Sequence, residues 1–324
     1  MSEVIGLVIP FFGLIFIGFV VARTARLPIE ALGWMTVFVI YVALPALFFQ
    51  LLARTPIERL TEWRYIFGAV FSTYIVFATM FIASIVLEGS GIRDSTIKGL
   101  AAAYGNIGYM GPGLALLAFG PEAAVPVALI FCFENIMHFT VTPMLMALAA
   151  GEGREEKVQP LRLAASVVRQ IALHPFMIAT AAGVLAAALS LHVPGPIDKL
   201  LDYLSNAAAP CALFAMGVTL ALRPLKRVPV ELGPIALLKL AVHPTVCYLM
   251  LSWVGNFSET WVYAAVLLAA LPTATNVFVI AQQYNVWVQR ASASIVLTTV
   301  LSVGSVTTLL FLIKSGTLPP DLFP

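Results

Sequence analysis

The sequence predicts an all-α polytopic membrane protein: ten spanning helices arranged as two inverted five-helix repeats. Three observations carry this. First, the 324-residue chain is 60% hydrophobic and 10% charged, with a mean hydropathy of +0.97, whereas soluble domains carry about 25% charged residues. Second, its apolar residues fall into ten runs, each close to the roughly 20 residues that cross a bilayer. Third, Pro10 and Pro175, Gly18 and Gly183, and Pro45 and Pro210 are each 165 positions apart. Equal numbers of spans on each side of a central polar loop make this a duplication. Five is odd, so the second copy inserts upside down, a recurrent plan of secondary transporters.

The first run, Val4–Ala22, follows an N-terminus with no basic residue ahead of it, so it reads as a retained span and not as a cleaved signal. Leu32–Ala53, Tyr65–Leu87, Thr96–Phe119 and Ala123–Ala150 complete the first repeat, residues 1–150. The longest polar connection, "GEGREEKVQPLR" at Gly151–Arg162, lies in a linker over 151–165. The second repeat, 166–324, holds Ile171–Leu191, Leu200–Leu222, Val230–Val254, Thr260–Gln282 and Ala291–Ile313. Its opening "HPFMIATAAG" resembles "IPFFGLIFIG" at Ile9–Gly18.

Basic residues set the expected orientation, because cytoplasmic loops collect lysine and arginine. Alternate connections hold Arg23, Arg26, Arg93, Lys98, Arg154, Lys157, Arg162, Arg223, Lys226, Arg227 and Arg290. The other set holds only Arg54, Arg59, Arg64, Lys199 and Lys314. The first set is expected inside, which puts both termini outside the cytoplasm. The net charge of +2 gives no hint of nucleic acid, and Cys132, Cys211 and Cys247 sit unpaired in apolar runs as small core side chains.

Two spans carry their own breakers. The fourth contains "YGNIGYMGPG" at Tyr104–Gly113, and the ninth contains "ALPTATN", with Pro272 followed by Thr273, Thr275 and Asn276. Unwound backbone at membrane depth is tolerated only where protein or a water-filled cavity satisfies it. Each break makes two half-helices, whose N-termini suit an anion and whose freed carbonyls suit a cation. Paired broken helices therefore point to a substrate site made from Asn106, Gly108, Pro112, Pro272, Thr273, Thr275 and Asn276.

The fifth span reads "FCFENIMHFTVTP". Glu134, His138 and Thr142 share one helix face, with Asn135 beside them. An intramembrane carboxylate is costly and functional by default. Glu134, with Asn135 and His138, is expected either to bind Na⁺ or to carry a coupling proton; the alternative is a structural Glu–His pair. Lys239 has two readings, attraction of an anionic substrate or snorkelling to the cytoplasmic surface. His174 and His243, each before a proline, are expected to serve helix kinks or interhelix hydrogen bonds. Gln50 is expected at the outer rim, and Arg54, Arg59 and Arg64 as solvated loop charges.

The stretches "GNIGYMGPGLALLAFG", "AALPTATNVFVIAQQYNV", "VALPALFF" and "APCALFAMGVTLAL" together resemble the auxin efflux carrier family. That family includes plant PIN-type exporters and bacterial carriers assigned to malate or malonate. The likeness runs from Ile9 to Ile313, and the short central loop is similar to bacterial members. It implies the ten-helix fold of bile-acid sodium symporters, with spans 1, 2, 6 and 7 as a scaffold that usually dimerises. Spans 3–5 and 8–10 would form the transport domain, with the broken spans 4 and 9 crossing at its centre. Asn106 matches the family's crossover asparagine and Pro272 its second crossover proline. Pro112, six residues after Asn106, departs from the plant pattern.

The expected function is a secondary active transporter of a small organic anion or carboxylate, working by elevator-like alternating access in the cell membrane. It would be a homodimer in the lipid bilayer, without a cofactor, its coupling ion left open between Na⁺ and H⁺. An organic-acid receptor or channel is the alternative, although a channel calls for a continuous polar stripe. No nucleophile motif or paired aspartates suggest an enzyme.

Overall fold

The computed structural model describes residues 2–26, 28, 32–56, 61–151, 165, 169, 172–222 and 229–322. Most of the expected linker 151–165 lies outside the described residues, as do Arg59, Arg154, Lys157, Arg162, Arg223, Lys226 and Arg227.

Among the described residues every regular element is helical, and the one extended pairing is a single bridge between Gly105 and Thr273. Six helices among the described residues are long and apolar enough to cross a membrane. In chain order, α1 is Ser2–Thr24, α2 Leu32–Ala53, α3 Trp63–Glu88, α4 Ile92–Ala103, α5 Gly111–Phe119 and α6 Ala124–Gly151. The second half supplies α7 Pro175–Ala188, α8 Gly195–Leu222, α9 Leu232–Val254, α10 Glu259–Ala270, α11 Thr275–Tyr284 and α12 Val288–Lys314. The fourth and ninth apolar runs are thus each two half-helices, α4 with α5 and α10 with α11. At about 1.5 Å per residue, each half reaches roughly half of a 30 Å hydrocarbon core.

Two helices widen into a π turn, α2 at Val39–Ala43 and α9 at Leu238–Val242. Each turn ends two residues before a proline, Pro45 and Pro244. A proline ring clashes with the carbonyl four residues back, and a wider turn relieves that clash. In α9 the widened turn carries Lys239 and leads into His243, both fully inside the protein.

α1 lies along α8, and α7 along α2. Glycine sets both approaches. A β-carbon on Gly18 would come within 2.2 Å of the Phe214 carbonyl oxygen, and one on Gly183 within 2.8 Å of the Phe49 carbonyl oxygen. Without a hydrophobic drive between helices in lipid, such close backbone packing holds spans together.

Polar residues expected at the outer face are more engaged than expected. Arg54 is not a free loop charge: its guanidinium donates to Asp198 at 2.7 Å and Asp202 at 3.4 Å. Gln50 is 5% exposed and binds Asp202 and Ser205, tying α2 to α8. At the opposite end, Arg93 donates to the Tyr284 carbonyl at the end of α11, and Arg290 pairs with Glu231.

Candidate functional site

The two breaks meet. The Asn106 amide N–H donates to the Pro272 carbonyl at 2.8 Å, and the Ala274 N–H donates to the Tyr104 carbonyl at 2.9 Å. This two-bond antiparallel bridge, centred on Gly105 and Thr273, satisfies backbone groups that unwinding has freed from their helices. Pro272 supplies no N–H, so its position in the break leaves no donor stranded.

One carbonyl near the C-terminal end of each first half-helix also has a side-chain donor. Thr273 Oγ1 donates to the Ala101 carbonyl of α4 at 2.7 Å, and Lys239 Nζ donates to the Ala269 carbonyl of α10 at 2.5 Å. The Thr273 N–H is taken by Thr298 Oγ1 of α12. Four carbonyls that could have faced a cation therefore have donors already. The N-terminal ends of α5 and α11 start at the same place, and the first turn of a helix presents N–H groups without intrahelical partners. Lys239 adds an ammonium: a β-carbon on Gly105 would lie 3.4 Å from its Nζ. The meeting point gathers hydrogen-bond donors.

Tyr104 organises the amides around it. Its hydroxyl donates to Asn135 Oδ1 and accepts from Asn276 Nδ2 at 2.9 Å. Its ring stacks on His138 at 4.0 Å between centroids. The Asn135 amide returns to the Phe131 carbonyl within α6. Replacing Tyr104 by phenylalanine removes partners from two asparagines at once. At about 1–3 kcal/mol for each buried polar group left unpaired, Tyr104→Phe is expected to lower the thermal midpoint of the purified protein clearly. A midpoint equal to wild type would refute this role.

Behind the breaks runs a second polar chain. Lys239 Nζ lies 2.9 Å from His243 Nδ1, His243 Nε2 lies 3.0 Å from Thr73 Oγ1, and Thr73 Oγ1 donates to Glu134 Oε1 at 2.6 Å. All four side chains are buried. Among the described residues Glu134 Oε2 and His138 Nε2 have no hydrogen-bond partner.

This architecture is matched by sequence. Residues 3–311 match the family described as Membrane transport protein. The chain belongs to that family. It is the family of auxin efflux carriers and malonate permeases that the sequence resembles. A protein of Rhizobium meliloti named "Putative malonate transporter" is 59% identical over the full length of both chains. An "Uncharacterized transporter" of Methanothermobacter thermautotrophicus is 26% identical over 90% of this chain and 92% of its own. The family is one of transport proteins and not of enzymes, and the fold is that of a multi-pass membrane protein.

Within this family member, most of the residues expected at the site converge. Asn106, Pro272 and Thr273 form the bridge itself and are buried. Thr275 and Asn276 open α11 and are half-buried. Gly108 lies in the turn between α4 and α5, where a β-carbon would strike the Phe131 ring at 2.8 Å. Pro112 is elsewhere: it sits in the first turn of α5, past the break at Tyr104–Met110. Proline is tolerated there because its missing N–H would have no helical partner. Lys239 does not snorkel; it is 0% exposed and bound on two sides. His243 makes the interhelix hydrogen bond expected of it, to α3. His174 stands at the N-cap position of α7 without a side-chain capping hydrogen bond, away from these contacts.

Sequence reasoning passed over Thr73, Tyr104 as the hydroxyl joining Asn135 to Asn276, Thr298 and Met216. Met216 of α8 accepts from the Asn106 amide at 3.3 Å through its thioether. Polar side chains inside apolar runs, "ST" at Ser72-Thr73 and "TT" at Thr298-Thr299, were the available signals.

Proposed function

We propose that this chain is a secondary active transporter of a small dicarboxylate of the malonate type, held where the two breaks meet. The observation that carries this is the convergence of donor groups at the breaks: the Lys239 ammonium and the side-chain amides of Asn106 and Asn276 meet beside the N-terminal ends of α5 and α11. The Asn106 amide rests on a thioether, a weak acceptor, so a carboxylate oxygen would replace it at little cost. Asn106 and Asn276 would orient the substrate, Gly108, Pro272, Thr273 and Thr275 would shape the breaks, Pro112 would start the half-helix α5 beside them, and Lys239 would supply positive charge. Glu134, Asn135 and His138 would form the coupling region.

In this reading the protein has ten spans in two inverted repeats, with broken spans 4 and 9 crossing at the substrate. Support comes from reciprocal packing. Gly18 meets Phe214 and Gly183 meets Phe49, and both members of the second contact are related to the first by the same 165-residue offset. A two-fold exchange of repeats produces that swap. The scaffold would be α1, α2, α7 and α8, forming a homodimer in the cell membrane. The remaining helices would move against it, elevator-like, giving alternating access. Both termini would lie outside the cytoplasm. The burial of Asn106, 1% exposed, supports an occluded site over an open pore.

A ligand that binds only the folded state raises its apparent stability. Malonate is expected to raise the thermal midpoint of the purified protein. Asn106→Ala and Asn276→Ala should each weaken that effect at least tenfold in malonate concentration, a loss of about 1.4 kcal/mol or more. If both variants respond as wild type does, the site is elsewhere. If only an indole or aryl acetate stabilises the protein, the dicarboxylate assignment is wrong.

A further inference from the structure

We infer that Lys239, His243, Thr73 and Glu134 form a proton relay that makes the proton the coupling ion. This rests on the proposed substrate site and adds a mechanism to it. With Glu134 ionised, the donor and acceptor roles follow one from the next along the chain. A carboxylate can only accept, so the Thr73 hydroxyl gives its single hydrogen to Glu134 at 2.6 Å. Another acceptor near that hydroxyl, the Ala69 carbonyl, is farther away at 3.4 Å. Thr73 must then accept from His243, which places the ring proton on Nε2, at 3.0 Å. His243 Nδ1 is therefore bare and accepts from the Lys239 ammonium at 2.9 Å. All donors point from Lys239 towards Glu134.

A chain of this kind has a second arrangement with the same bonds reversed. One hydrogen moves across each of the three links. Lys239 passes a proton to His243 Nδ1, His243 passes its Nε2 proton to Thr73, and Thr73 passes its proton to Glu134. The outcome is a neutral amine, the other histidine tautomer, an unchanged threonine and a neutral carboxylic acid. Atoms and charge balance, and no bond between heavy atoms changes. In a low-dielectric interior, separated charges interact strongly. An anion at the breaks, next to Lys239 Nζ, favours the arrangement with the ammonium. Its departure shifts the balance back towards the neutral one.

The groups facing this relay are Tyr65 and Tyr74 on α3, His138 on α6, Cys247 on α9 and Tyr104 at the break. α10 contributes the Ala269 carbonyl. His138 is held by Tyr74 and stacked on Tyr104, so it adjoins the relay without being a link in it. When an anion holds the proton on Lys239, Glu134 is left as a buried carboxylate with one unpartnered oxygen. Binding one proton from water there neutralises it. Substrate and proton then cross together; when the anion leaves, the three hydrogens shift along the relay, Glu134 takes the Thr73 hydrogen on Oε1 and gives up the extra proton from Oε2 to water. Thr73 is a positioning residue: it touches no substrate and acts by joining His243 to Glu134.

The test uses proteoliposomes and malonate. Wild type is expected to accumulate malonate when the interior is alkaline. Thr73→Val keeps the shape but cuts the relay. It should retain the malonate thermal shift and malonate–malonate exchange while losing pH-driven accumulation at least tenfold. Thr73→Ser, which keeps the hydroxyl, should retain all three. The inference is overturned if Thr73→Val accumulates malonate like wild type, if Thr73→Ser loses accumulation to the same degree, or if Thr73→Val also loses exchange. It is overturned too if a sodium gradient drives the wild type and a pH gradient does not. A wild type that neither exchanges nor is stabilised by malonate refutes the carrier reading itself, and the relay with it.

Discussion

Lys239→Met is expected to produce the largest functional loss of any single substitution: no malonate-dependent stabilisation and no malonate transport. It should also destabilise the protein by about 3–5 kcal/mol, because it leaves the buried Glu134 without its compensating charge. The two effects separate in the double variant. Replacing a buried ion pair by uncharged groups of similar size is often neutral or stabilising. Glu134→Gln together with Lys239→Met should therefore recover most of the lost stability but none of the binding. A double-mutant cycle on thermal and chemical unfolding measures the coupling directly. Additive losses would mean that Lys239 and Glu134, although joined through His243 and Thr73, do not compensate one another. Recovered binding in the double variant would remove Lys239 from the substrate site.

Gly217→Val should have the largest effect on folding. A β-carbon at Gly217 would lie 1.9 Å from the Ile15 carbonyl oxygen and 2.8 Å from the Phe19 nitrogen. Both neighbours are backbone, so no rotamer change relieves the clash and α1 must move away from α8. Overpacking commonly costs about 1–3 kcal/mol, and this site belongs at or above the top of that range. The expected result is a sharp fall in monodisperse protein on size exclusion and in the thermal midpoint. Gly13→Ala, on the same α1 but with no atom near the added methyl, should behave as wild type. A folded, wild-type-like Gly217→Val would show that α1 and α8 do not pack as described.

Much of the organisation was legible from residue order. The apolar runs gave the helices to within about a turn and a half, the largest difference being the start at Gly195 in place of Leu200, and the breakers at Tyr104–Gly113 and Pro272 located both interruptions. The precise break was not legible. Four glycines and a proline in ten residues left many places to unwind, and pairing with the other segment decided among them. Once the Asn106 N–H and the Tyr104 carbonyl bond across to Pro272 and Ala274, the interruption is fixed at Tyr104–Met110. Pro112 then falls in the first turn of α5, where proline costs little.

The polar residues divide the same way. Glu134 stood out because a carboxylate in an apolar run is expensive anywhere along it, and that reasoning needs no partner. Thr73 did not stand out, since a threonine can satisfy its hydroxyl on its own helix. Lys239 was ambiguous because a long side chain near a helix end reaches either water or the interior. Its direction depends on what the neighbouring helices offer, here the Ala269 carbonyl and His243. Hydropathy and proline spacing are local, so the sequence by itself determined a multi-pass helical membrane protein with two broken spans and a charged residue at depth. Which breaks meet, which carbonyls are already occupied and which side chains link into one chain depend on residues up to 172 positions apart, and only the tertiary structure decided them.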